Sequence, residues 1–281
     1  GGSAQASRTV PTRNGVLVVA HGGGDDWNRQ VLDVAANIKH DGPVGVSFLM
    51  GTGATQRPFQ REVAALRAAG ATRIVVVPFF MSSHSEHIDQ LRWLIGQRDA
   101  LDSTMMHHLH MGGIERPSDV SGLLLTSALD SASELSVALT ERALRLADRR
   151  SERAVLLLGH GPNGAEDYAR WMTALRPVAE RVRLSAGYRF ASVELVRDDA
   201  SPLVRAEAVR RVRELVTWLH EATRLPVVVV PALVATGAVS QQTLPRDLQG
   251  LPVIYAGEAV LPNPDMARWV ERLTAAALAK P

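Results

Sequence analysis

The chain has 281 residues, no cysteine and a formal net charge of +2, from 31 Lys and Arg against 29 Asp and Glu. A compact fold of this length buries about 75% of its unfolded surface without covalent staples. The missing cysteines exclude thiolate nucleophiles and Cys-rich zinc sites and leave the redox compartment open. No basic stripe with interleaved aromatics occurs, which speaks against nucleic acid as a partner. The longest apolar stretch, residues 74–81, is far short of the roughly 18 residues of a bilayer span.

Residues 1–15, opening GGSAQASRTV, read as a disordered lead-in, and Ala4-Gln5-Ala6 also fits what remains after an export signal is removed. Residues 16–20 form an apolar strand ending in a glycine-rich turn. A helix is expected from about Asn28, with Val31, Ala35 and Ile38 on one face. Strand 44–50, helix 58–69 with proline first and Gly70 as its stop, strand 74–80 and a helix over 87–97 follow. The order then repeats: a helical pattern over 131–150, strand 154–158, a helix through Tyr168, Met172 and Leu175, strand 190–196, helix 203–223 and strand 227–230. Such alternation predicts an α/β protein with parallel sheets flanked by helices.

Two anchors tie the repeats together. Strand-His-Gly occurs at His21-Gly22 and His160-Gly161, and three valines before a proline occur at Pro78 and Pro231. The His-to-Pro separations are 57 and 71 residues. A duplicated domain with an insertion in the second copy follows: residues 16–120 and 153–281, joined by a linking helix within 121–152.

His21-Gly22-Gly23-Gly24 follows a strand, where ligands of doubly wound folds bind. The same string serves as an oxyanion loop in some esterases, but no G-x-S-x-G elbow exists here. Residues 159–164 satisfy G-x-G-x-x-G, a weak signal alone, and Pro162 removes an amide that a pyrophosphate needs. There is no P-loop string. The densest chemistry is Met81-Ser82-Ser83-His84-Ser85-Glu86-His87, again at a strand end, whose imidazoles suit Zn, Co, Ni or Fe. Solvated polar histidines are the plain alternative; the nearby strand end carrying His21 favours a metal site. Residues 105–110, MMHHLH, read as a connecting segment rather than a metal-handling loop. Trp27, Trp93 and Trp171 lie on helices facing the crevice, and Trp27 is placed to wall a flat ligand.

Residues 74–96, IVVVPFFMSSHSEHIDQLRWLIG, together with strand-His-Gly at the start, resemble the class II tetrapyrrole chelatases, and residues 122–145 resemble the stretch before the second copy in two-domain members. The resemblance implies two chelatase-like domains with a cleft between them. It implies one metal site, on His21 and His87, with His84 as a neighbour that some members share. The second copy keeps His160 but has Gly237-Ala238-Val239 where the loop histidine would stand. A divalent metal (Co, Fe or Ni, with Zn accepted in vitro) would be inserted into a sirohydrochlorin-type tetrapyrrole contacted by Trp27, His84 and His160. The family glutamate after the second strand is missing, since residues 49–53 read LMGTG; Glu86 or His84 is the replacement base for the pyrrole N–H protons. Arg29, Arg57, Arg61 and Arg92 are the cations available for substrate carboxylates. The family implies the cytoplasm, and the small-residue start leaves export open. A non-catalytic metal or tetrapyrrole carrier is the rival expectation.

Overall fold

The computed structural model describes residues 13–280. Strands β1 (Arg13–Ala20), β2 (Val44–Phe48), β3 (Ala71–Phe79) and β4 (Leu123–Leu125) form one sheet in the order β2-β1-β3-β4. Strands β5 (Ala154–Gly159), β6 (Phe190–Leu195), β7 (Val227–Ala232) and β8 (Val253–Tyr255) form a second in the order β6-β5-β7-β8. Every pairing is parallel. Val19 stands opposite Pro78 and Leu158 opposite Pro231, so both sequence anchors fall on the same rung of the two sheets.

The helices of the first half are α1 (Asp25–Ala36), α2 (Gly51–Gln56), α3 (Phe59–Ala68), α4 (Glu86–Leu94), α5 (Ser103–Met111) and α6 (Ser133–Leu146). Those of the second are α7 (Ala165–Ala186), α8 (Pro202–Thr223), α9 (Leu244–Asp247) and α10 (Ala267–Leu278). Because helices cover both faces of each sheet, the central strands are buried on both sides and read as unbroken valine and leucine runs. Val18 and Val77 share one hydrophobic cluster with Leu157 and Val230, so a continuous core joins the inner faces of the two sheets. The outer faces bury separately, Leu17 and Val76 under α3 and α4, and Leu156 and Val229 under α8.

The last helix of each half packs on the other half's sheet. Helix α6 lies on β7 and α7, while α10 lies on β3, where Trp269 meets Phe79 at 5.2 Å between ring centroids. Buried Arg142 on α6 donates to the carbonyls of Ala259, Val260 and Pro262 and pairs with Glu258 at 2.7 Å. None of the helices among the described residues is long and apolar enough to cross a membrane.

Several expectations shift. Of the lead-in over 1–15, residues 1–12 lie outside the described residues, and Arg13 to Gly15 already belong to β1. The first sheet runs on to Leu125, past residue 120, because β4 pairs with β3. Helix α1 starts at Asp25, since Asp25 and Asp26 suit the positive end of a helix. Residues 105–110 are part of helix α5, capped by Asp102, rather than an irregular connection. The extra length of the second copy sits in both of its long helices, α7 with 22 residues against 12 in α1 and α8 with 22 against 10 in α3.

Candidate metal centre

His21 leaves the end of β1 on a backbone turn that only glycine completes easily. Gly22 has φ +97°, and a Cβ there would lie 2.4 Å from the carbonyl oxygen of Met50. The glycine loop is held by Asn28, whose Oδ1 accepts from Gly23 N at 2.8 Å. His21 Nδ1–H donates to the Gly22 carbonyl at 2.8 Å, and this fixes the tautomer with Nε2 bare.

His87 enters from the loop after β3. Ser83 binds Asp130 through both its amide and hydroxyl, and Ser85 caps α4 by accepting from His87 N at 3.2 Å. Buried Gln90 spends its Nε2 on the Met105 carbonyl, so its Oε1 must be the atom facing His87 Nδ1 at 2.9 Å. That Nδ1 therefore carries the proton, and Nε2 is again bare. The His87 ring stacks on Phe80 at 5.4 Å and meets His21 edge-on at 4.7 Å between centroids.

Electrostatics keep both rings neutral. Burial pushes His87 down to about 3, with the neighbouring His21 imidazole adding to the shift. Burial also lowers His21, opposed by its hydrogen bond to Gly22. Two neutral imidazoles with free lone pairs can take a borderline divalent ion without first losing a proton.

The pair opens into a cleft of about 1160 Å³ between the halves, lined also by Trp27, Glu86, His160 and Trp171. Gln30 of α1 clamps its rim by exchanging two hydrogen bonds with the Thr236 backbone, at 2.9 and 3.0 Å. Trp27 packs between Gly23 and Gly237, where Cβ atoms would come within 2.8 and 2.9 Å of its ring. The space beside Gly237, in the second copy's loop, is thus filled by a tryptophan of the first.

His84 does not join the site. The helix begins at Glu86, after His84, so the two histidines do not share a helical face. His84 is exposed, and its contribution is a carbonyl that accepts from Trp171 Nε1 at 2.7 Å. Trp93 also lies away from the cleft, under Arg116 at 4.5 Å. His107, His108 and His110 are exposed on α5 and do not line the cleft. Of the four arginines considered for substrate carboxylates, only Arg29 lines it, while Arg57 pairs with Glu62 and Arg92 with Asp89.

Asp198 and Asp199 were not singled out in the sequence, yet both line the cleft beside His160. The available signal was positional. Met50 N donates to the His21 carbonyl and Arg197 N to the His160 carbonyl, so Asp198 occupies in the second half the place of Gly51 in the first.

Residues 15–112 match the family model described as CbiX. No curated protein sequence matches the chain. The sirohydrochlorin chelatase SirB from Bacillus subtilis subspecies spizizenii, solved in complex with cobalt, is similar at TM-score 0.61 and 15% identity, over 96% of this chain and 97% of that one. SirB from Bacillus subtilis, solved with Fe3+, is similar at TM-score 0.65 and 16% identity, over 95% and 96%. DR2241 from Deinococcus radiodurans, described as a multi-domain protein with structural similarity to chelatases and two additional novel domains, is similar at TM-score 0.54 and 17% identity, over 94% of this chain and 55% of that one. At such identities the structural likeness speaks for the fold, and the family model speaks for the half that holds the histidine pair. Residues 15–112, which hold the histidine pair, are thus similar to the CbiX family, and the two parallel sheets share the fold of the chelatase structures across both halves.

Proposed function

We propose that the protein inserts a divalent metal into a sirohydrochlorin-type tetrapyrrole held in the interdomain cleft, with the metal, as substrate, carried on Nε2 of His21 and His87. One observation carries this reading: two converging imidazoles, each with Nδ1 committed as a donor and Nε2 bare. Two neutral nitrogen ligands leave most of the ion's coordination positions open, so pyrrole nitrogens can replace water before the histidines let go. Trp27 walls the cleft for a flat macrocycle, and His160 faces it from the second half. Glu86, exposed on the cleft wall one residue before His87, is the acceptor for the pyrrole protons. The name of SirB as a sirohydrochlorin chelatase, and its structures with cobalt and Fe3+, make Co and Fe the first ions to try.

The test is sirohydrochlorin with Co2+ or Fe2+, followed by the change in its absorption spectrum. Insertion faster than the spontaneous reaction, lost in His21→Ala and His87→Ala, supports the reading. Insertion at the spontaneous rate in the parent chain rejects it.

A second reading, a carrier that binds metal without inserting it, is favoured by charge. The cleft wall carries Asp25, Asp26 and Asp33 from α1, Glu86 from α4, Asp167 from α7 and the Asp198-Asp199 pair, against Arg29 as its one arginine. This lining attracts divalent cations and repels a polycarboxylate. Tight Co2+ binding without acceleration of insertion selects the carrier.

A further inference from the structure

We propose that the second half holds its own divalent-cation site, built from His160 Nε2 and the carboxylates of Asp198 and Asp199, on the wall of the cleft opposite His21 and His87. It does not depend on the insertion reading, since it concerns what the second half binds.

His160 repeats the local construction of His21. Its carbonyl accepts from Arg197 N at 2.6 Å, as that of His21 accepts from Met50 N at 2.8 Å. Its Nδ1–H donates to the next glycine's carbonyl at 2.9 Å, against 2.8 Å at His21. Nε2 is therefore the free atom in both copies. In the first half that atom meets a second imidazole, and in the second it meets carboxylates, because the chain after β6 reads Arg197-Asp198-Asp199 where the first half has Met50-Gly51-Thr52.

One ligand atom from each of His160, Asp198 and Asp199 can be chosen so that all lie within 4.8 Å of one another. Donors about 2.1 Å from a common ion stand roughly 3–4 Å apart. Asp199, whose side chain is 72% exposed, closes that gap by rotating about its own bonds. Already His160 Nε2 lies 3.4 Å from Asp199 Oδ2. Both atoms are thus close enough for a single divalent ion to take them as ligands.

The local cations leave the site open. Arg197 turns away to the carbonyls of Pro162 and Asn163 and the ring of Tyr168. Arg205 Nε binds Asp198 Oδ1 at 3.1 Å while its Nη2 binds Asp247 at 2.6 Å, which fixes the carboxylate and leaves Oδ2 for an ion. One imidazole with two carboxylates suits Mn, Fe, Co or Zn. This donor set differs from the nitrogen-only pair across the cleft.

Equilibrium dialysis of the full chain against Co2+ alone, with bound metal counted by mass spectrometry, tests it. The parent should bind two ions per chain, the His21→Ala/His87→Ala variant one, and the same variant carrying His160→Ala none. Asp199→Asn, an exposed change that leaves the core untouched, should weaken the second ion about tenfold or more. A parent that binds one ion, lost completely in His21→Ala/His87→Ala, overturns the proposal, as does a second ion indifferent to both His160→Ala and Asp199→Asn. Two ions bound without insertion would sink the insertase reading and leave this one standing.

Discussion

The two strand-end histidines are built by the same backbone and face different partners. His21 looks at another imidazole across an aromatic-backed contact, and His160 looks at a half-solvated aspartate pair. Duplication copied the turn, and the residues that later elements bring to it decide the chemistry. In the first half that element is the loop after β3, which presents His87. In the second half the corresponding loop presents Gly237 to Trp27, and the loop after β6 supplies carboxylates instead.

The sharpest way to break this contrast is to remove His87. His87→Ala should cost the first site two orders of magnitude or more in Co2+ affinity and return metal insertion to the spontaneous rate. His160→Ala should leave the affinity of the first site within a few-fold of the parent. Titration calorimetry with Co2+ checks both; equal losses would mean the halves form one shared site.

The glycine after each histidine gives a stability comparison. At Gly22→Ala the new Cβ meets the Met50 carbonyl oxygen at 2.4 Å, and at Gly161→Ala it meets the Cβ of buried Leu195 at 2.7 Å, which moves only with its strand. Both also adopt a positive φ that penalises alanine. Each substitution should therefore lose about 3 kcal/mol in urea unfolding. A loss below about 1 kcal/mol at either position would contradict the close approach of that turn to its neighbouring strand end.

Gln90 is the positioning residue for His87, and the second half has no part in it. Gln90→Leu keeps the volume roughly and removes the acceptor that fixes the His87 tautomer. About 10- to 100-fold weaker Co2+ binding at the first site is expected, with an unchanged second site. Loss at both sites would instead report a general loosening of the fold.

The smallest effect concerns pH. Burial lowers both His21 and His87 from the ordinary histidine value, His87 to about 3. On unfolding both would gain protons near pH 6.5, so their contribution to stability is complete above that value and is lost as pH falls toward 3. Metal binding follows the same sign. Two solvated histidines would lose roughly 100-fold in affinity between pH 7.5 and 5.5. The first site should lose less than about tenfold, and a full loss would mean the rings are hydrated.

Much of this was legible from residue order. Hydrophobic runs bounded by glycine and proline marked the six longer strands, and the His-Gly and Val-Pro anchors located the duplication. The short strands β4 and β8, three residues each, carry no periodicity and exist only because a sheet edge accepts them. Helix α2 begins Gly-Thr-Gly, a sequence that disfavours helix and is held by packing over β2. His21, His87 and Glu86 stood out because they crowd strand ends. Gln90 did not, since a buried glutamine on an amphipathic helix looks like any polar residue until its partners are known. Asp198 and Asp199 were hidden because a pair of aspartates after a strand usually marks a solvated turn, and only alignment of the two backbones brings them beside His160.

The central claim is that a divalent ion sits between Nε2 of His21 and Nε2 of His87. Anomalous diffraction at the cobalt edge from Co2+-soaked crystals tests this most directly. A peak about 2.1 Å from both nitrogens is predicted. Crystals that take up cobalt elsewhere while this position stays free of anomalous density would contradict it.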